Sequence, residues 1–151
     1  MMSDEITEIL NLAAEPKIAH NWSGFIKRPN HAGSVIGSAQ LSDANNVFLP
    51  GVTLEIEVKA PIVTARCLFL FTIMRRKGTV PRNRIVQLEV CPKDKRSHNG
   101  VTVIYGPHLH TGDDEPTSVD ETGVNCDDWE GSLAWFLRRI NVQPFAVEKP
   151  C

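Results

Sequence analysis

The sequence predicts an α+β fold, a mostly antiparallel β-sheet covered by an N-terminal and a C-terminal helix. Apolar residues recur at helical spacing near both ends, strand-like patterns fill the middle, and an Asn-Gly pair supplies a tight-turn signal. The 151 residues suit a single domain, 1–151, that buries its own core. We expect a helical N-terminal segment at 1–31, an antiparallel sheet at 32–111, an acidic loop at 112–126 and a C-terminal helix at 127–141.

The first helix has clear start and stop signals. Ser3 is a good N-cap residue, and two carboxylates follow it in the positive first turn. Apolar residues then recur at helical spacing from Ile6 to Ala13, and Pro16 ends the pattern. Residues 17–31 have no regular period, so we expect an irregular connection there.

The middle of the chain reads as strands. Residues 52–58 alternate apolar and polar, which is typical of a half-buried strand with one solvated face. Residues 62–74 are more continuously apolar and predict a central strand. Two further strands are predicted at 85–91 and 101–105, with the Asn-Gly turn at 99–100 between them.

The last helix is the clearest element. Asp127 and Glu130 resemble a capping box at its start. Apolar residues from Trp129 to Ile140 form one stripe along about three turns. Asn141 can end the helix in a left-handed conformation.

Charge is distributed unevenly along the chain, although the net charge is only −2. Residues 75–96 include eight basic and two acidic residues, whereas residues 97–137 include eight acidic residues and no Lys or Arg. These blocks indicate either partner surfaces or charges that meet each other or water in the fold. The candidate binding residues are Asp113, Asp114, Glu115, Arg75, Arg76 and Lys77. The basic ones could also contact nucleic-acid phosphate.

The segment at 106–111, Gly-Pro-His-Leu-His-Thr, looks most like a chemical site. His108 and His110 are two of the five histidines, and positions i and i+2 of a strand share a face. A regular two-residue hairpin at 99–100 would also carry this segment back beside residues 85–91.

That hairpin would place His110 opposite Glu89 and His108 opposite Cys91, because directly paired residues share a face of the sheet. Leu88, Val90 and Leu109 would then point to the other face. The prolines at 92 and 107 cannot donate ladder hydrogen bonds, and a one-residue slip would turn the whole set over.

Three uses of this predicted face stay open at the level of sequence. As a metal site it would offer zinc a thiolate, a carboxylate and two imidazoles. The metal ligands would be His108, His110, Glu89 and Cys91. As a metal-free site it would perform acid–base catalysis, with Arg84 or Lys95 binding phosphate. The catalytic residues would be His98, His108, His110 and Glu89. The third use is a purely structural polar face.

Several other classes are disfavoured. The chain has no P-loop and no GxGxxG motif, so nucleotide binding by those routes has no support. We expect no cofactor, or zinc. The N-terminus lacks the features of a signal peptide, and the longest apolar run is too short to span a bilayer. The four cysteines of the chain form no CxxC pair. We therefore expect reduced thiols in a soluble, cytoplasmic protein with no membrane contact.

From Ile85 onward the chain resembles a family of small, functionally uncharacterised bacterial and phage proteins. The motifs that carry the resemblance are Gln87-Leu88-Glu89, His98-Asn99-Gly100, Gly106-Pro107-His108-Leu109-His110 and the closing helix with Phe136-Leu137-Arg138-Arg139-Ile140. The family pattern has Arg and Asp where this chain has Gln87 and Glu89, and its turn is longer. The resemblance implies a bacterial or phage context and supplies no reaction.

Taken together, these features predict a small intracellular interaction protein, bacterial or phage, that binds a macromolecular partner. The expected partner is a protein, such as a nucleic-acid-binding complex, and the expected role is inhibition or modulation of a host defence or nuclease system. The alternatives are a His-based or metal-dependent hydrolase or nuclease that uses the 106–111 segment, and a metal-stabilised structural domain.

Overall fold

A computed structural model describes residues 4–59, 68–76, 78, 82–94, 96–99, 103–112 and 115–150 of the chain. Helices and strands within these residues follow one another as α1 (Asp4–Ala14), β1 (Lys17–His20), β2 (Ile26–Lys27), β3 (Ser34–Asp43), β4 (Phe48–Lys59), β5 (Leu68–Arg75), β6 (Asn83–Val90), β7 (Arg96–Asn99), β8 (Val103–Tyr105), β9 (His108–Thr111), β10 (Thr117–Ser118) and α2 (Trp129–Arg139). Neither helix in this part of the chain has the length and apolar character that a membrane crossing requires.

One large sheet dominates the described residues. Its strand order is β1-β3-β4-β5-β6-β9-β10, with β2 also paired to β3, and each of these pairings is antiparallel. The predicted α+β class with a mostly antiparallel sheet is therefore confirmed. The predicted central strand is also confirmed in its described part, since β5 lies between β4 and β6; residues 62–67 lie outside the described part.

The core lies on one face of this sheet. Phe71 of β5 is fully buried and stacks against Phe136 of α2 at a centroid distance of 5.8 Å. Trp129 meets Phe69 edge-on at 5.1 Å, and Ile9 of α1 belongs to the same buried cluster. Directly paired core residues across β4, β5 and β6 form the rows Val58–Phe69–Val90, Ile56–Phe71–Leu88 and Leu54–Ile73–Val86.

The start of α2 differs from the prediction. Its N-cap is Asp128, whose carboxylate accepts a hydrogen bond from the backbone N–H of Gly131 at 2.7 Å. The capping box predicted from Asp127 and Glu130 is wrong, because the helix begins one residue later and Glu130 falls short of the third helical position. Asn141 does adopt the left-handed conformation expected of it, with a φ of 56°.

The segment 17–31 is more regular than predicted, since it contains β1 and β2. Lys17 is only 2% exposed, and its Nζ donates to the carbonyl oxygens of Leu12, Ala13 and Glu15 at 2.6, 3.3 and 2.6 Å. It thereby satisfies carbonyls left open at the end of α1. Burial lowers the pKa of Lys17 from 10.5 to about 8, while the Glu15 charge raises it.

The face of the sheet opposite the core is polar, and it is more enclosed than predicted. Glu57 is only 7% exposed, and its carboxylate accepts two hydrogen bonds from Arg28, at 2.8 and 2.9 Å. Across neighbouring strands, Gln87 donates to the hydroxyl of Thr72 at 2.9 Å. The candidate site lies on this face, beside β9.

A second, small sheet consists of β7 and β8. Asn99 pairs with Val103, so three residues separate the strands instead of the predicted two. A register irregularity follows between Arg96 and His98. Residues 91–95 lead into this small sheet and residues 106–107 lead out of it, and we call these two segments its legs.

Candidate metal centre

The pairing of β6 with β9 decides which side chains meet. Glu89 lies opposite His108 and Gln87 lies opposite His110. The predicted register, with Glu89 opposite His110, is wrong by two residues, because the turn is longer than two residues and the two legs differ in length. A shift of two keeps every side chain on its predicted face, since faces alternate with a period of two.

His108 is the centre of the site. It is 1% exposed, and its Nδ1 lies 3.0 Å from the carbonyl oxygen of Gly106. A carbonyl only accepts, so Nδ1 carries the proton, and Nε2 of the neutral ring is left as an acceptor. Nε2 lies 3.6 Å from the Oε2 of Glu89, which is also an acceptor. A proton or a metal ion between these two atoms would make their contact attractive.

Cys91 adds a third ligand atom to the same place. It directly follows β6 and is 1% exposed. Its Sγ, a carboxylate oxygen of Glu89 and a ring nitrogen of His108 all lie within 4.8 Å of one another. Ligand atoms around a tetrahedral zinc ion are about 3.3–3.8 Å apart, so small side-chain rotations would bring these three to a common ion.

The two described cysteines differ in their chemistry. Cys91 is a buried cysteine outside any disulfide, whereas Cys126 is disulfide-bonded. The expectation of reduced thiols throughout is therefore wrong for Cys126. The burial of Cys91 disfavours a role as an attacking nucleophile, because such a thiolate must be reached by its substrate, but it suits a metal ligand.

His110 is next to this group without belonging to it. Its ring centroid lies 4.9 Å from that of His108, with the planes at 74°. It is paired with Gln87, however, which is four residues from Cys91 and thus about 13 Å away along an extended strand. The predicted four-ligand set is therefore not brought together: the described residues gather Glu89, Cys91 and His108, and His110 stands outside.

Gly106 has a backbone role that the sequence analysis did not assign to it. Its φ is +78°, and a Cβ there would lie 3.1 Å from the Cα of Lys93. It therefore lets the two legs approach each other and aims its carbonyl at the His108 ring. The Gly-Pro dipeptide before His108 was an available signal for such a special backbone position.

Three residues of the predicted basic block, Arg75, Arg82 and Arg84, make side-chain contacts within the protein. Arg75 pairs with Glu8 of α1 at 3.1 Å, and Arg82 pairs with Glu55 of β4. Arg84 donates to the side-chain oxygen of Gln87 at 3.1 Å, and Arg76 is exposed. Among the described residues, the ion-pair partners of Arg75 and Arg82 are thus Glu8 and Glu55, in the first half of the chain, and not the acidic segment.

Several other predicted site residues lie outside the part of the chain that the structure describes. Lys77, Lys95, Asp113 and Asp114 lie outside the described residues, as does the side chain of His98, whose backbone belongs to β7. Glu115 is described and exposed. Of the three acidic binding candidates, Glu115 is therefore the one within the described residues.

Comparisons with known proteins leave the interpretation to this geometry. No family model, no curated protein and no solved structure matches the chain. The resemblance drawn from the 106–110 segment accordingly stays a prediction.

Proposed function

We propose that this protein binds one zinc ion through the Glu89 carboxylate, the Cys91 thiolate and Nε2 of His108. The observation that carries the proposal is the convergence of these three acceptor atoms within 4.8 Å. The hydrogen bond from Nδ1 of His108 to a backbone carbonyl supports it, because metal-bound imidazoles usually hold their second nitrogen in this way.

The donor set favours zinc over other common ions. Thiolate and imidazole ligands suit Zn²⁺, whereas Mg²⁺ and Ca²⁺ prefer oxygen ligands throughout. A thiolate and a carboxylate together balance the two positive charges of the ion. This balance matters here because Cys91 and His108 are each 1% exposed, where an unbalanced charge would be costly.

The first experiment is metal analysis of the full chain purified without a histidine tag. We expect about one zinc per chain, and loss of the ion in His108→Ala, because a three-ligand site does not survive removal of its central imidazole. His31→Ala is the matched control, since His31 is exposed and outside the group. Zinc content below about one ion per ten chains after reconstitution, or equal in both variants, would overturn the proposal.

A hydrolase or nuclease is the second candidate, and one observation favours it. Three protein ligands leave a fourth coordination position, the arrangement of catalytic zinc sites, and His110 lies beside His108. A water there would bond to the phosphorus of a phosphodiester, lose its proton to His110 and expel the leaving oxygen, which takes that proton. Hydrolysis of bis(p-nitrophenyl) phosphate that requires zinc and falls in His110→Gln supports this candidate. Equal rates in the variant and the parent protein refute it.

Partner binding stays a prediction from the charge blocks. The basic block is less available to a partner, because Arg75 and Arg82 already pair with Glu8 and Glu55. Lysine substitutions at Asp113, Asp114 and Glu115 would test its acidic side in a pull-down from the native host. Unchanged recovery of the partner would argue against the acidic segment as the contact.

A further inference from the structure

We infer that the zinc ion acts as a clamp that fixes the small β7–β8 sheet against the large sheet. This inference rests on the proposed function and goes beyond it, because it assigns the ion a conformational consequence. The carrying observation is where the ligands lie along the chain.

The proposed ligands lie on both sides of the place where the chain enters and leaves the small sheet, which we call its root. Glu89 belongs to β6, Cys91 is the first residue of the incoming leg, and His108 follows the outgoing leg as the first residue of β9. An ion bound to all three would join the large sheet to the chain on both sides of the small one. The loop closed between Cys91 and His108 contains the whole of β7 and β8.

The two legs already touch at this root. Gly106 comes so close to Lys93 that a Cβ would lie 3.1 Å from its Cα, and the Gly106 carbonyl binds the ring of His108. The outgoing leg is thereby tied to one of the proposed ligands. Capture of the ion would tie the incoming leg to the same imidazole through Cys91.

Apart from this root, the described residues of the small sheet meet the large sheet where β8 lies near β10. Its two strands pair with each other and not with the large sheet in the described part of the chain. Within β8, Ile104 is buried, at 5% exposure, whereas Val103 and Tyr105 are 44% and 57% exposed. A two-stranded sheet with exposed side chains opens at a lower free-energy cost than a buried core, so the ion should change its order more than that of the core.

Hydrogen exchange of the full chain, measured by mass spectrometry with zinc and with EDTA, tests the clamp. We expect exchange in peptides covering β7 and β8 to slow at least about tenfold with zinc, and exchange in β4 to stay the same. His108→Ala with zinc should exchange like the EDTA sample. Should that variant not fold, Glu89→Gln replaces it, because it keeps the size of a side chain that is only 21% exposed.

A zinc titration of the same samples separates the two proposals. Zinc binding with unchanged exchange in β7 and β8 would overturn the clamp and leave the proposed function standing. No zinc binding would overturn both. Slower exchange spread equally over β4 would also overturn the clamp, because it would indicate general stabilisation by the ligand.

Discussion

Replacement of Cys91 by Ser tests the metal centre with the smallest change of shape. A serine hydroxyl occupies nearly the volume of the thiol but keeps its proton near neutral pH, so it is a poor zinc ligand. Loss of groups that only support ligands costs about 10–100-fold in affinity. Loss of one of three ligands should therefore cost at least about 100-fold, or about 2.8 kcal/mol at 1.4 kcal/mol per tenfold.

The same substitution has a separate and smaller effect on the metal-free fold. Cys91 is 1% exposed, so the hydroxyl enters a buried site. We expect the free energy of unfolding in EDTA to fall by about 1 kcal/mol, in the range of a buried polar group with an imperfect partner. Urea unfolding in EDTA measures this term, and it must be known before zinc-dependent stabilisation is compared between variants.

Affinity is best measured by competition with a chromophoric chelator, and ligand identity by cobalt substitution. The parent protein should show a sulfur-to-cobalt charge-transfer band that Cys91→Ser lacks and His31→Ala keeps. A zinc affinity in Cys91→Ser within about threefold of the parent value, below the tenfold that even a supporting group costs, would refute the assignment of Cys91 as a ligand.

Three further predictions concern the surrounding fold. Burial lowers the pKa of Lys17 to about 8, so the unfolded chain binds this proton more tightly than the folded chain does. The free energy of unfolding relative to Lys17→Met, measured with urea, should therefore rise as the pH is raised from 8 toward 10.5. This gain should be lost as the pH falls back through 8. Arg28→Ala leaves the buried Glu57 carboxylate with Lys59, at 4.0 Å, as its remaining ion-pair partner among the described residues. The free energy of unfolding, measured with urea, should fall on the order of 2 kcal/mol, less than for a fully buried pair because 36% of the Arg28 side chain is exposed; a smaller loss than in Lys59→Ala would contradict this role of Arg28. Gly131→Ala should lower the melting temperature although alanine favours helices, because the new Cβ would lie 2.6 Å from a backbone carbonyl oxygen of the preceding loop; an increase in that temperature would show that the loop yields easily.

Local patterns in the sequence predicted much of the fold and part of the site. The alternation at 52–58 reports which side chains of β4 share a face, and the stripe from Trp129 to Ile140 reports which side of α2 is apolar. The alternation of side chains along a strand also placed Glu89 on the same face as His108, because a register error of two residues leaves every side chain on its face.

Other features depend on contacts between distant segments. The short strand β1 forms because it pairs with β3 and because Lys17 donates hydrogen bonds to carbonyls at the end of α1. Its four residues carry too weak a pattern to predict the strand from sequence. Likewise, the burial of His108 follows from the neighbours assembled around it, whereas the strand pattern predicted only the face of the sheet on which it lies.

The sequence by itself determined the fold class, the antiparallel alternation and the faces on which the chemical side chains lie, because these follow from the periods of a helix and a strand. Only the tertiary structure decided the register, which brings Glu89 to His108 and keeps His110 apart from Cys91. The physical reason is that register depends on the turn length, the unequal legs and the close approach of Gly106 to Lys93, which hydrophobic periodicity does not encode. The metal centre is therefore a product of local alternation and long-range pairing together.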